Sequence, residues 1–133
     1  MQATATYTNQ LDQQRTAEHL YKKLQAMQRQ RQAVQASGLP ALRRLVTIAQ
    51  RSSGQSAVVA RFLLGLYNGP EHPFPLTDLR ALDEEIHSDC MAVLMMDWAP
   101  EQEVHELIEG GHHIFQIQLT KTYGLNSLMD DFR

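Results

Sequence analysis

Apolar residues recur every three or four positions along most of the chain, which is the spacing of one face of an α-helix. A thin stripe of this kind crosses the Gln-rich residues 11–36, and Ser37-Gly38 is expected to end that helix. Pro40 suits the first turn of a second helix. The two stripes consist of Leu20, Leu24, Met27 and Val34, then Leu42, Leu45, Val46 and Ala49.

Two further helices are predicted between residues 54 and 97. The third begins after Ser53-Gly54 and stops at Asn68-Gly69. Three prolines in residues 70–75 indicate an irregular loop, after which Thr77 is expected to cap a long fourth helix. Their apolar faces are Val59, Phe62, Leu63 and Leu66, then Leu79, Leu82, Ile86, Cys90 and Val93.

The pattern after residue 99 is weaker. Pro100 predicts a fifth helix that turns Val104, Leu107 and Ile108 inward. Residues 112–123 fit both a strand and a helix, and a helix is predicted because no other segment offers a strand to pair with. The fold class is therefore all-α, with five to six helices in one compact bundle-like domain and an N-terminal Gln-rich arm. The predicted boundaries are 1–36 for a mobile tail and the arm, 37–124 for the helical core and 125–133 for a C-terminal tail.

Composition supports a small folded protein. The chain has 133 residues, of which 43% are hydrophobic and 20% charged, so one domain with a core is expected. A single cysteine excludes an internal disulfide framework and a multi-cysteine zinc site. Neither a secretory signal nor an apolar run of about 18 residues is visible. We therefore expect a cytoplasmic protein that does not span a membrane.

Charge is divided unevenly along the chain. Residues 1–65 carry nine basic and two acidic side chains, a net charge of +7, and residues 66–133 carry three and thirteen, a net charge of −10. Such a split predicts one surface that attracts a polyanion and another that attracts a basic partner. The alternative is that the two halves attract each other within one fold.

Candidate catalytic chemistry is sparse. His105 and Glu106 begin a zinc-protease pattern, but the second histidine position holds Glu109, and His112-His113 lie beyond two glycines. Cys90, with His87 nearby, falls on the apolar stripe and is expected to be a small buried hydrophobe. No Gly-rich phosphate loop is present. The sequence thus predicts no catalytic residue, no metal and no cofactor, and a protein that is not an enzyme.

Short motifs between residues 42 and 115 occur in a distinctive order. They are Ser53-Gly54-Gln55, Ala60-Arg61-Phe62-Leu63-Leu64, Leu66-Tyr67-Asn68-Gly69, Pro73-Phe74, Leu76-Thr77-Asp78-Leu79-Arg80, Leu82-Asp83, Asp89-Cys90, Val93-Leu94, Met96-Asp97 and Glu103-Val104-His105. This series resembles a family of small uncharacterised bacterial proteins, mostly from pseudomonads and related proteobacteria and often carried on plasmids and integrative conjugative elements. The resemblance implies an accessory protein of a mobile element, without an assigned activity or catalytic residues.

The leading prediction is a non-enzymatic interaction protein of a bacterial mobile genetic element. It would bind a protein or nucleoprotein target, and inhibition of a host defence complex is a suitable role because carboxylate arrays imitate phosphates. The residues of this predicted acidic face are Asp83, Glu84, Glu85, Glu101, Glu103 and Glu106.

The alternative is a nucleic-acid-binding accessory or regulatory protein that uses its basic half. Its contacts would be Arg29, Arg31, Arg43, Arg44 and Arg51. A short Gly-containing turn between the second and third helices is similar to that of a helix-turn-helix, but the following helix is apolar and Arg61 is its only cation. No membrane partner is expected in either case, and weak homo-oligomerisation is compatible with both.

Overall fold

The computed structural model describes residues 2–124, so the predicted tail of residues 125–133 lies outside the described part of the chain. The described residues form helices and no strand, which confirms the all-α class. The longer helices are α1 (Gln2–Ala49), α2 (Gly54–Tyr67) and α3 (Glu84–Asp97). A 3₁₀ helix, Leu76–Ala81, precedes α3, and residues 111–123 form a C-terminal helical segment.

The two helices predicted before residue 50 are one helix of 48 residues, so the break predicted at Ser37-Gly38 was wrong. Gly38 does not stop the helix, because it is buried where α1 meets α3. A Cβ on Gly38 would lie 2.7 Å from Met96 Cβ and 3.2 Å from the carbonyl oxygen of Ala92. Pro40 removes one backbone hydrogen bond at a cost of about 3 kcal/mol, which burial of the apolar residues that follow it offsets.

The chain divides into an N-terminal unit, Met1–Ala33, and a core unit, Val34–Arg133. The described part of the N-terminal unit is helical, and except for the half-buried Leu11 its described large apolar side chains are exposed. They are Tyr7, Leu20, Tyr21, Leu24 and Met27. Leu20, Leu24 and Met27 of the predicted apolar stripe therefore remain in contact with solvent, whereas Val34 is half-buried.

The core unit contains the buried residues of the described chain. Phe62, Leu63 and Leu64 of α2 pack with side chains from α1, α3 and the segments that follow. The other buried members are Ala41, Leu42, Leu45, Val46, Ala49, Val59, Ala60, Cys90, Val93, Met96, Val104, Phe115 and Leu119. The prediction for α2 is confirmed at both ends, because Ser53 Oγ accepts a hydrogen bond from Ser56 N at 3.1 Å and Asn68 occupies the C-cap.

The predicted fourth helix is interrupted, and α3 begins only at Glu84. Leu82 and Asp83 are extended between the 3₁₀ helix and α3. The side chain of Gln55 explains this break: its oxygen accepts from Asp83 N at 2.8 Å and its nitrogen donates to the Asp83 carboxylate at 2.8 Å. These two hydrogen bonds keep the backbone extended at Asp83 and fix the start of α3.

The predicted fifth helix was wrong, because residues 101–110 form turns. The side chain of Glu106 accepts from Glu103 N at 3.0 Å, and Gly110 has a positive φ of 68° that few other residues adopt. The predicted inward face is nevertheless confirmed. Val104 is fully buried, and Leu107 and Ile108 pack partly buried against the core.

The helix predicted over residues 112–123 is confirmed, although its middle turn is wider than an α-helix. It consists of α-helical Gly111–His113, π-helical Ile114–Leu119 and α-helical Thr120–Tyr123. Phe115 and Leu119 point into the core. The hydroxyl of Thr120 donates to the carbonyl oxygen of Phe115 at 2.8 Å, which satisfies an acceptor inside the wide turn.

None of the helices in residues 2–124 combines the length and the apolar character that crossing a membrane requires.

Candidate interaction surfaces

The six predicted acidic residues lie in two groups, one at each end of α3. Asp83, Glu84 and Glu85 stand at its start, and Glu101, Glu103 and Glu106 lie in the turns after its end. All six are exposed. Since α3 has 14 residues, its axis is about 20 Å long. The structure therefore does not gather the six carboxylates into one cluster.

The group at the start of α3 has a structural explanation. The carboxylate of Asp83 accepts from Gln55, and Glu84 and Glu85 occupy the first turn of the helix. Negative side chains at a helix N-terminus stabilise the helix through its dipole. These three residues are thus accounted for by the folding of α3.

We call the group after α3 the C-terminal acidic group (Glu101, Glu103 and Glu106). The helix dipole does not stabilise the negative charges of this group, because they follow the C-terminus of α3. The last turn of α3 contains no basic residue, and the C-terminus of a helix carries partial negative charge. Asp97 lies in that turn, and burial together with the negative charge of Glu103 raises the pKa of its carboxyl group. Residues 81–120 contain nine acidic side chains and neither lysine nor arginine. This stretch of the chain therefore carries a net charge of −9, which favours a cationic partner.

Sequence reasoning missed two apolar side chains at the same end of α3. Trp98 occupies the C-cap position and is 87% exposed, and Met95, one turn earlier, is 58% exposed. Met96, the next residue after Met95, is instead buried in the core. A signal was present, because Trp98 lies five residues after Val93, off the three- or four-residue spacing of the apolar stripe, and directly follows Asp97.

The predicted basic residues are divided between the two units. Arg29 and Arg31 are exposed in the N-terminal unit, and Arg43, Arg44 and Arg51 are exposed in the core unit. The guanidinium of Arg44 donates to both carboxylate oxygens of Asp89, at 2.9 and 2.8 Å. This pairing raises the pKa of Arg44 and joins α1 to α3.

Part of the charge split is thus neutralised inside the core unit. The Arg44–Asp89 pair joins the basic half to the acidic half. Arg61 and Asp78 form a second such pair, with 4.0 Å between Nη2 of the arginine and Oδ2 of the aspartate. The idea that the two halves attract each other therefore accounts for some of the charges.

The candidate zinc ligands are not gathered around a common centre. Among the described residues, no three His, Cys, Asp or Glu side chains are placed to hold a metal ion. The ring of His105 instead packs edge-on against Tyr67, with 5.1 Å between ring centroids. Its Nδ1 atom is buried without a hydrogen-bond partner. Gly111 packs against the backbone of His105, where a Cβ would overlap the carbonyl oxygen.

Cys90 is fully buried, as predicted. Burial, and secondarily the negative charge of Asp89, raises the pKa of its thiol to about 12. Because the thiolate is the nucleophilic form of cysteine, this environment is unfavourable for nucleophilic catalysis.

Comparison with known proteins identifies a family. The sequence model of a family of unknown function, DUF7673, matches residues 39–121, which include α2, α3 and both acidic groups. Neither a curated protein nor a solved structure was found to match the chain.

Proposed function

We propose that this chain, which belongs to the DUF7673 family of unknown function, is a non-enzymatic interaction protein that binds a protein with a basic surface. The observation that carries the proposal is the C-terminal acidic group, which lies exposed at the negative end of α3. Lysine and arginine are missing from the surrounding 40 residues, 81–120. A surface of this kind attracts cationic partners and speeds their association.

The biological setting belongs to the same proposal. The resemblance of residues 42–115 to proteins of plasmids and integrative conjugative elements supports an accessory role on a bacterial mobile element. A protein that presents carboxylates can occupy the nucleic-acid site of a basic target, since both present closely spaced negative charges. We therefore propose a target in a nucleic-acid-handling complex of the host, such as a defence complex, which the chain would inhibit.

Binding of nucleic acid through the basic residues has less support. Arg44 is held by Asp89, and Arg29 and Arg31 belong to the N-terminal unit. In the core unit, Arg43 and Arg51 remain as exposed cations of the predicted set. Two cations give a weak phosphate interaction compared with the six to ten contacts of typical DNA-binding proteins.

The proposal is tested by capture from host lysate with the tagged full-length chain, at low and high salt and with and without nuclease. The test variant carries Glu101→Gln, Glu103→Gln and Glu106→Gln, which remove charge and keep an acceptor at Glu106 for its bond to Glu103 N. A matched control carries the same change of charge elsewhere: Asp12→Asn, Glu18→Gln and Glu71→Gln.

We expect a protein that is captured equally with nuclease, is lost at high salt, and is captured several-fold less by the test variant than by the control, because screening and neutralisation remove the same attraction. Capture that disappears with nuclease, or that falls in an Arg43→Gln/Arg51→Gln variant and not in the test variant, would instead indicate the nucleic-acid function.

A further inference from the structure

We infer that the C-terminal end of α3 is a docking surface for an arginine-bearing segment of a protein partner, with Trp98 as its anchor. This inference rests on the proposed function, because it names the residue and the partner chemistry of the same acidic surface. It adds a requirement that charge alone does not make, namely an aromatic contact.

The exposure of Trp98 is the first observation. Tryptophan has the largest apolar surface of any side chain, and 87% of this one is in contact with solvent. Met95 precedes it by three residues, so the two side chains lie on the same side of α3, and Met95 is 58% exposed. Exposed tryptophan next to an adaptable methionine is typical of the energetically dominant residues of protein interfaces.

The charges around Trp98 specify a cationic partner. Asp97 is adjacent, and the negative charge of Glu103 contributes to the raised pKa of the Asp97 carboxyl, so the two carboxylates interact. A cation placed between them would relieve this repulsion and would also meet the negative end of the α3 dipole. The backbone N–H of Trp98 donates to Leu94 O at 3.0 Å, which fixes the tryptophan at the last turn of the helix.

Arginine fits this combination better than lysine. A guanidinium is planar, so it can stack on the face of an indole while its N–H groups pair with a carboxylate in two parallel hydrogen bonds. An ammonium group is more strongly hydrated and cannot form the paired arrangement. This end of the chain's α3 offers both kinds of group to a partner: the exposed indole of Trp98 and the exposed carboxylate of Glu103.

The other occupants are disfavoured by charge. A second copy docked through this same surface would bring two surfaces of the same negative sign together, and nucleic acid would meet the same repulsion. An uncharged apolar segment could cover Trp98 and Met95, but it would leave the neighbouring carboxylates partly desolvated without a counter-charge. An arginine-bearing segment covers the apolar patch and neutralises its rim.

The chain contains one tryptophan, so its intrinsic fluorescence reports on Trp98 alone. We would titrate the full-length protein with a tetra-arginine peptide and with a tetra-lysine peptide of the same charge. The expected result is a saturable change in Trp98 emission that weakens with salt. Tetra-arginine should bind about tenfold more tightly than tetra-lysine, which corresponds to about 1.4 kcal/mol.

Variants are compared by calorimetric titration, which does not depend on the tryptophan. Trp98→Leu should bind tetra-arginine about tenfold less tightly, again about 1.4 kcal/mol, and should melt at the same temperature as the parent because the side chain is exposed. The matched control is Leu76→Ala, which changes another large side chain that is 77% exposed and should leave binding unchanged.

Equal binding of the two peptides, or unchanged tetra-arginine binding by Trp98→Leu, would overturn the inference. These outcomes would leave the proposed function standing if neutralising the C-terminal acidic group still reduced capture of the host target. Undiminished capture by that variant would overturn the proposed function itself, whatever the peptides show.

Discussion

Cys90 illustrates how the surroundings of one residue decide its chemistry. Its thiol is buried in the core beside Val93, and both the low polarity of the site and the carboxylate of Asp89 oppose formation of a thiolate. His87, the histidine considered as its base, is exposed. The apolar stripe of the sequence was therefore a better guide to this residue than its nucleophilic side chain.

Cys90 is predicted to resist thiol reagents in the folded protein. With the pKa raised to about 12, little thiolate exists at neutral pH, and burial blocks access. Labelling with an aromatic disulfide reagent at pH 8 should proceed at the rate of global unfolding and should become fast in denaturant. Rapid stoichiometric labelling of the native protein would show that the core opens locally at α3.

The same shift gives stability a pH dependence at alkaline pH. The folded state keeps the Cys90 proton up to a pKa of about 12, whereas the unfolded state releases it near the ordinary value of 9.0. Between those values the unfolded state binds fewer protons, so the free energy of unfolding contributed by this group falls as pH rises. Urea denaturation of the parent and of Cys90→Ala should show a steeper decline for the parent above pH 9.

Among the helices, sequence patterns predicted what is buried more accurately than where helices begin and end. Val104, Leu107 and Ile108 were correctly turned inward, although no helix carries them. The sequence predicts a boundary near Gly38 and Pro40 because local propensity disfavours both residues inside a helix. The close approach of Met96, which lies far away in the chain, overrides that propensity, and such contacts are not visible in local spacing.

The interaction surface was predictable only in part, for a similar reason. The negative charge after α3 is visible in the sequence, and so is Trp98. Their proximity at the end of a helix depends on α3 stopping at Asp97 and on turns replacing the predicted fifth helix. Those turns depend on the side chain of Glu106 and on the positive φ of Gly110, which the spacing of apolar residues does not encode.

The crossing of α1 and α3 predicts opposite effects for two glycine substitutions. Gly38→Ala should destabilise the protein by about 1–3 kcal/mol, because its Cβ would meet Met96 Cβ and the Ala92 carbonyl too closely. Gly54→Ala, at the start of α2, has nothing within 4 Å of its Cβ and should stabilise by about 0.4–1 kcal/mol. Chemical denaturation of both variants measures the difference, and a neutral Gly38→Ala would mean that the helices can separate at no cost.

For the whole chain, the buried core lies in one unit and the other unit carries a net positive charge. The buried core lies entirely in the core unit. In the N-terminal unit, Leu20, Leu24 and Met27 are each more than half exposed to solvent. The N-terminal unit also carries five basic and two acidic side chains, a net charge of +3. A helix with so little buried surface contributes little to the stability of a folded domain.

Deletion of residues 1–33 is therefore predicted to leave a protein that melts cooperatively, with a melting temperature close to that of the full chain. The control is deletion of residues 1–45, which also removes Ala41, Leu42 and Leu45 from the core and should abolish cooperative melting. Differential scanning calorimetry distinguishes the two. Loss of the transition in the shorter deletion would show that the N-terminal unit is required for the core to form.

The π-helical turn at Ile114–Leu119 indicates how a helix of this chain can accommodate an inserted residue. Hydrogen bonds from residue i to i+5 enclose one residue more than those of an α-helix, so this turn holds an additional residue between two ordinary helical flanks. A homologue one residue shorter here would regain α-helical bonding without disturbing the turns before it. A single-residue gap at this place in an alignment is thus the expected record of an insertion that the helix absorbed.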